Sequence, residues 1–183
     1  MRVYIPATLA MLDELVAERE LQPRSGTAFA VTPALREAYA QGDDDELAEV
    51  AIGEAARASL RLMAADAEAG HFAAESDGQA SGSGDRARMR RAVLVVDAPD
   101  DDVTLRPDLD DGVVRLSGPV RMDQVVAAYV DNAAAEPAVI AACTVVDEAD
   151  LGDEDAELTV GDAQDHDLAW YASQELPFLL ELL

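Results

Sequence analysis

Apolar positions recur along this chain with two periods, and the switches between them mark its elements. Residues 2–5 read as a β-strand from the start of the chain, which Pro6 should stop. Thr8 then caps a helix in which Leu9, Leu12, Leu15 and Val16 form one apolar stripe. A second strand is expected at 27–31, where Phe29 and Val31 alternate with small residues. Thr32-Pro33 is a helix start, with Thr as N-cap and Pro at the first helical position, and that short helix carries Leu35, Arg36 and Tyr39 towards Gly42. Asp43, Asp44 and Asp45 put negative charge at the positive end of the longest helix, expected over 45–68. Its positions Leu47, Val50, Ala51, Ala55, Ala58 and Leu62 follow helical spacing, and Ile52, Ala56, Leu60 and Met63 widen the apolar face until much of the circumference must be buried. Gly53 sits inside this helix at a cost of about 1 kcal/mol against Ala, and close packing by a neighbour is the expected reason.

The second half starts with a Val- and Leu-rich run at 92–97, apolar enough for a central strand, followed by strands at 113–116 and 125–131. A helix is expected from 134 to 146 with Glu136-Pro137 in its first turn, then an acidic loop over 147–155, then a last helix from about Asp162. Pro177 either kinks that helix or begins a new turn carrying Phe178, Leu179, Leu180, Leu182 and Leu183, which should dock on the protein's own core. Strands alternating irregularly with helices predict an α+β fold: a single domain over 1–183, with a mixed sheet of about five strands covered by helices. The Ser, Gly and Asp at 76–85 have linker composition and predict a flexible insertion in that domain.

Composition adds a charge argument. There are 38 acidic residues against 13 basic ones, for a net −25, and every basic residue is an arginine. Residues 1–91 hold 16 acids and 10 arginines, a net −6, whereas residues 92–183 hold 22 acids and 3 arginines, a net −19. Such a field repels nucleic acid and anionic membrane, so neither is expected as a direct partner; a protein with a basic surface is. The same composition also follows from a GC-rich coding sequence and a solvated surface that keeps the chain soluble. One cysteine, Cys143, rules out an internal disulfide and suits a reducing, cytoplasmic location, and neither a signal-peptide stretch nor a membrane-length apolar run occurs. With aromatics at only 4% of the chain, the core must be built from Leu, Val, Ile and Ala.

Candidate chemistry is sparse. Gly82-Ser83-Gly84 has no strand before it, so it is neither a P-loop nor a dinucleotide fingerprint, and no Gly-x-Ser-x-Gly elbow occurs. Asp108-Leu109-Asp110-Asp111-Gly112 superficially resembles a calcium loop, but its glycine is one position early and Pro119 stands where the bidentate glutamate belongs. Asp150, Asp153, Glu154, Asp155 and Glu157 read as solvated carboxylates, and one Cys with two His (His71 and His166) gives no zinc spacing, so neither metal nor cofactor is expected. His166 lies between Asp165 and Asp167, and helical spacing would place it on one face with Trp170, with Asp167 and Tyr171 on the neighbouring stripe and Gln174 and Glu175 beyond. A histidine held by a carboxylate can act as a general base, or form a dyad with Cys143. A core-anchoring Trp in an ordinary first helical turn accounts for the same residues. Arg86, Arg88, Arg90 and Arg91 cluster; they either grip a phosphate or an acidic partner, or neutralise the chain's own acidic half, and the second is favoured.

Several blocks are similar to those of a family of uncharacterised actinobacterial proteins. These are Met1-Arg2-Val3-Tyr4-Ile5-Pro6-Ala7-Thr8, Ala28-Phe29-Ala30-Val31-Thr32-Pro33-Ala34-Leu35-Arg36, Glu54-Ala55-Ala56-Arg57-Ala58-Ser59, Gly152-Asp153-Glu154-Asp155-Ala156, and the stretch from His166 to Glu175. The resemblance implies an actinobacterial cytosolic source and carries no catalytic residue. The leading expectation is therefore a non-enzymatic accessory protein working through its acidic face or C-terminal segment. The alternatives are a small enzyme with a site around His166, Trp170, Tyr171 and Glu175, joined by Arg36 or Arg57, and an acidic mimic of nucleic acid with carboxylates in rows on one face.

Overall fold

The computed structural model of the chain describes residues 1–69 and 89–183; the expected insertion at 76–85, His71, Arg86 and Arg88 lie outside them. The α+β class is the observed one. The main sheet holds seven strands: β1 (Arg2–Ala7), β3 (Thr27–Phe29), β4 (Ala92–Asp97), β5 (Val103–Leu105), β6 (Val113–Leu116), β8 (Val125–Asp131) and β9 (Leu168–Ala172). Their order is β5-β6-β3-β1-β4-β8-β9. Two short strands, β2 (Glu20–Leu21) and β7 (Val120–Arg121), form a separate ribbon. Every pairing is antiparallel, where a mixed sheet of about five strands was expected.

Alternation along the strands assigns the two faces. Val3, Ile5, Leu94, Val96, Ala128 and Val130 point to one side, where Leu12 and Leu15 of α1 (Leu9–Glu18) and Leu176 and Leu179 of α7 (Leu176–Leu182) cover them. Tyr4, Phe29, Val93 and Val95 point to the other, against Ala51, Ala55 and Ala56 of α3 (Asp44–Glu68). A third cluster joins Leu60 and Met63 of α3 to α4 (Glu136–Cys143), α5 (Val146–Asp150) and α6 (Glu154–Gln164). The alanine stripe of α3 lets the helix approach the sheet closely, which suits a core with few large side chains.

The caps are those the sequence encodes. The Thr8 hydroxyl accepts from the Met11 amide at 3.3 Å, and Thr32 accepts from the Leu35 amide at 3.0 Å at the head of α2 (Pro33–Ala38). Asp43 and Glu46 close a capping box on α3. Pro6 does not stop β1: it stays in register with Val93, and on its other side β1 and β3 share only the Tyr4–Phe29 pair, so few partners lose a donor. The close packing expected at Gly53 is absent, since a Cβ there would meet nothing within 4 Å. The expected acidic loop over 147–155 is largely helical, belonging to α5 and the start of α6, with Asp153 capping α6 through the Ala156 amide at 2.8 Å. The helix expected from Asp162 is the end of α6; the chain then turns at 165–167 and continues as β9, with Pro177 in the first turn of α7.

Candidate functional site

β9 ends the sheet. It pairs with β8 through Ala127–Ala172, Ala128–Tyr171, Tyr129–Trp170, Val130–Ala169 and Asp131–Leu168, and among the described residues no strand pairs with its other edge. This strand reverses the helical geometry expected for its residues. Trp170 shares a face with Tyr129, while Tyr171 points to the opposite side and packs on the α1–α7 core. The helix α3 packs over β1, β3 and β4, and Trp170 beyond it is 57% exposed. The Trp is therefore not the core anchor that helical reasoning makes it.

The turn that delivers His166 to β9 is held from inside the fold. Arg91 is 1% exposed and forks onto buried Asp131, with Nε 2.8 Å from Oδ2 and Nη2 2.7 Å from Oδ1. Its backbone amide donates to the same carboxylate at 2.8 Å. Nη1 donates to Gln164 Oε1 at 2.7 Å, Nη2 donates to the His166 carbonyl at 2.8 Å, and Gln164 Nε2 donates to the Gly53 carbonyl at 3.0 Å. One guanidinium thus ties β4, β8, α3, the end of α6 and the turn before β9. Nothing in the sequence pairs Arg91 with Asp131, forty positions away, and this network was legible only as one more arginine in a basic run.

The other candidate residues do not converge. Glu175 uses Oε2 to accept from the Ala172 amide at 2.7 Å, and Gln174 accepts from the Ser173 hydroxyl at 3.5 Å. Cys143 donates to the Leu60 carbonyl at 3.8 Å rather than to His166, and burial pushes its thiol up to about 12, away from the thiolate that a dyad needs. Arg36 is paired with Asp44 at 3.1 Å. Arg57 is shared between Asp150 at 3.0 Å and Glu157 at 2.7 Å, and Arg61 meets the same Asp150 at 2.6 Å. These guanidiniums hold the Asp150 and Glu157 carboxyls below the usual carboxylate range, Asp150 chiefly through Arg61.

Two clefts that sequence reasoning did not anticipate flank α2. One, of about 120 Å³, lies among Phe29, Leu35, Tyr39, Glu54 and Asp111; the other, of about 240 Å³, lies among Pro33, Glu37, Leu105, Pro107 and Asp111. Both are smaller than the ~300–1,000 Å³ typical of small-molecule sites, and neither is lined by His166, Trp170, Tyr171 or Glu175. No group of three or more ligand-type side chains among the described residues is arranged to hold a metal ion. No described helix is long and apolar enough to cross a membrane.

The charge asymmetry of the sequence is partly cancelled in space. Arg2 pairs with Asp97, Arg57 and Arg61 with Asp150, Arg90 with Glu136, and Arg91 with Asp131, each joining an arginine of the first half to an acid of the second. Arg90 and Arg91 thus pair with acids of the second half, while Arg86 and Arg88 of the same cluster lie outside the described residues. Asp162, Asp165 and Asp167 are exposed, and none has an ion-pair partner among the described residues. The edge strand with its exposed Trp is thus preceded in the chain by exposed Asp165 and Asp167, which have no ion-pair partner among the described residues.

Comparison with curated proteins and with solved structures returns no match. A family model matches residues 1–180, covering every element above except the end of α7. On that match the chain belongs to the family of unknown function DUF6912.

Proposed function

We propose that this protein is a non-enzymatic accessory factor of the cytoplasm that acts by binding a protein with a basic surface. The observation that supports this reading best is Trp170, 57% exposed on the edge strand, a few residues after exposed Asp165 and Asp167, which have no ion-pair partner among the described residues. Solvent-facing tryptophans are costly to hydrate and are enriched where proteins meet. An acidic rim speeds encounter with a basic partner and selects against acidic ones. The groups suggested for an enzyme are engaged elsewhere: Arg36 and Arg57 in ion pairs, Glu175 in a cap, Cys143 in a buried bond to a carbonyl.

The C-terminal segment is a weaker docking element. Leu176 is fully buried and Leu179 nearly so, which commits one face of α7 to the core and leaves Phe178 and Leu182 outside. Its removal would damage the fold and is not a clean test. The test is co-purification of the tagged protein from its native host, comparing wild type with Trp170→Ala and with Phe178→Ser/Leu182→Ser. The expected result is a stoichiometric basic partner, lost in high salt and in Trp170→Ala but kept in Phe178→Ser/Leu182→Ser. A partnerless monomer refutes the reading.

A further inference from the structure

Resting on that reading, we propose that the free edge of β9 takes an extended basic peptide as an additional strand, with Trp170 receiving one of its cationic side chains. The edge is a ready template. Strand pairing on the β8 side satisfies half of the β9 backbone groups; the other half face outward with no strand partner among the described residues, the Ala172 amide alone being met by Glu175 Oε2 at 2.7 Å. An extended segment laid there gains main-chain hydrogen bonds irrespective of its sequence, and its side chains alternate between the two faces of the sheet. On the face bearing Tyr129 and Trp170, the position opposite Trp170 meets an indole with more than half its surface free. An Arg or Lys over that ring gains a cation–π contact.

Charge decides the occupant. The strand is preceded by exposed Asp165 and Asp167 and followed by exposed Glu175, and Arg91, which donates to the His166 carbonyl in the turn before it, is buried and engaged with Asp131 and Gln164. A second copy pairing edge to edge in antiparallel sense would bring Asp165 and Asp167 of one chain towards Glu175 of the other, in molecules that each carry −25. Like charges so placed oppose association. A basic segment meets the same groups with attraction at both ends. Natural edge strands are commonly protected by lysine, proline or a bulge; β9, Leu-Ala-Trp-Tyr-Ala, has none of the first two, and the irregularity in this half of the sheet lies on the inner side, between β4 and β8.

The probe is a fluorescein-labelled (Arg-Val)4 peptide, read by fluorescence anisotropy at 150 mM salt and by amide hydrogen exchange of the full chain. Its controls are the same peptide N-methylated at alternate residues, which keeps the charge and removes the strand-pairing donors, and (Glu-Val)4. The proposal expects protection of amides in β9, binding weakened about tenfold or more by N-methylation, about tenfold by Trp170→Ala, and several-fold by Asp165→Asn/Asp167→Asn, with no binding of (Glu-Val)4. Equal binding of the N-methylated peptide, or protection confined to other acidic elements, overturns strand addition while leaving the accessory-factor reading intact. Concentration-dependent dimerisation of the free protein, lost on Trp170→Ala, assigns the edge to a second copy and overturns the basic-peptide occupant. If neither peptide binds and co-purification also yields no partner, both readings fail.

Discussion

The Arg91–Asp131 pair offers the sharpest test of how this fold is held. Arg91 and Asp131 are each 1% exposed, so neither charge has water to fall back on. Replacing Arg91 by Met preserves much of the side-chain volume and removes four guanidinium hydrogen bonds: two to Asp131, one to Gln164 and one to the His166 carbonyl. The Asp131 carboxylate retains only the Arg91 backbone amide as a donor and becomes an unpaired buried charge. Breaking a buried pair in this way costs about 3–5 kcal/mol. For a chain of this length that lowers the melting temperature by about 6–20 °C, at about 2–4 °C per kcal/mol.

The double variant separates pairing from packing. Arg91→Met/Asp131→Asn removes both charges while the Asn side chain still offers an oxygen to the Arg91 amide. The cost of the double variant should then fall at least about 2 kcal/mol short of the summed single costs, the signature of groups in direct contact. Urea unfolding followed by far-UV circular dichroism is the assay, because the lone Trp170 is already largely exposed and its emission reports folding poorly. Arg91→Met costing under about 1 kcal/mol, or single costs that simply add, would refute the claim that this pair clamps β4, β8, α6 and the turn into β9.

Other perturbations have signs that follow as directly. Gly53→Ala should stabilise the protein by about 0.5–1 kcal/mol in the same unfolding assay, because the added Cβ meets nothing and the Gln164 bond uses the backbone carbonyl; Gly161→Ala in α6 should behave alike, and destabilisation by either would mean a hidden contact. Asp150 has a folded-state pKa below its unfolded value, so its stabilisation is complete above the ordinary carboxylate range and is lost as pH falls through the folded value. Asp150→Asn should therefore be less stable than wild type at pH 7, on the order of 1 kcal/mol, with the two stabilities converging as pH falls below the ordinary carboxylate value of 3.8; a gap that persists in strong acid would show packing loss instead. Cys143, with its thiol pushed up to about 12, should react with Ellman's reagent at pH 8 far more slowly in the native chain than in urea, and equal rates would place it at the surface.

The parts of the fold that could be read from sequence are those specified by neighbouring residues. Thr8, Thr32-Pro33 and the acidic run Asp43 to Asp45 mark helix starts because the chemistry of a helix N-terminus lies within four positions, and β4, β6 and β8 occupy the residues their apolar runs indicate. The misses are those where a distant partner decides. The 168–172 stretch carries residues tolerated in either helix or strand; the open edge of β8 makes it a strand, and no local signal announces that edge. The same error moved the candidate site, since a helix would gather His166 and Trp170 on one face whereas the strand separates Trp170 from Tyr171. The 147–155 stretch reads as an acidic loop, yet much of it is helical, and Arg57 and Arg61 arrive from α3, some ninety positions earlier, to neutralise Asp150.

Five arginines of the first half reach across to carboxylates of the second, and they meet acids that lie on packed elements: Asp97 on β4, Asp131 on β8, Glu136 on α4, Asp150 on α5 and Glu157 on α6. Asp165 and Asp167 occupy the short path between the end of α6 and the start of β9, where the Arg91 network fixes the backbone and where the sheet leaves an edge and an indole open. A fixed turn presents its charges at a constant distance from the edge, which a basic strand can use and a flexible acidic loop cannot. On this argument Arg91→Met should weaken the (Arg-Val)4 peptide as well as the fold: under conditions where the variant remains folded, its affinity should drop several-fold although no residue of the proposed edge has changed. Unaltered affinity in a folded Arg91→Met protein would show that the edge works without the clamp.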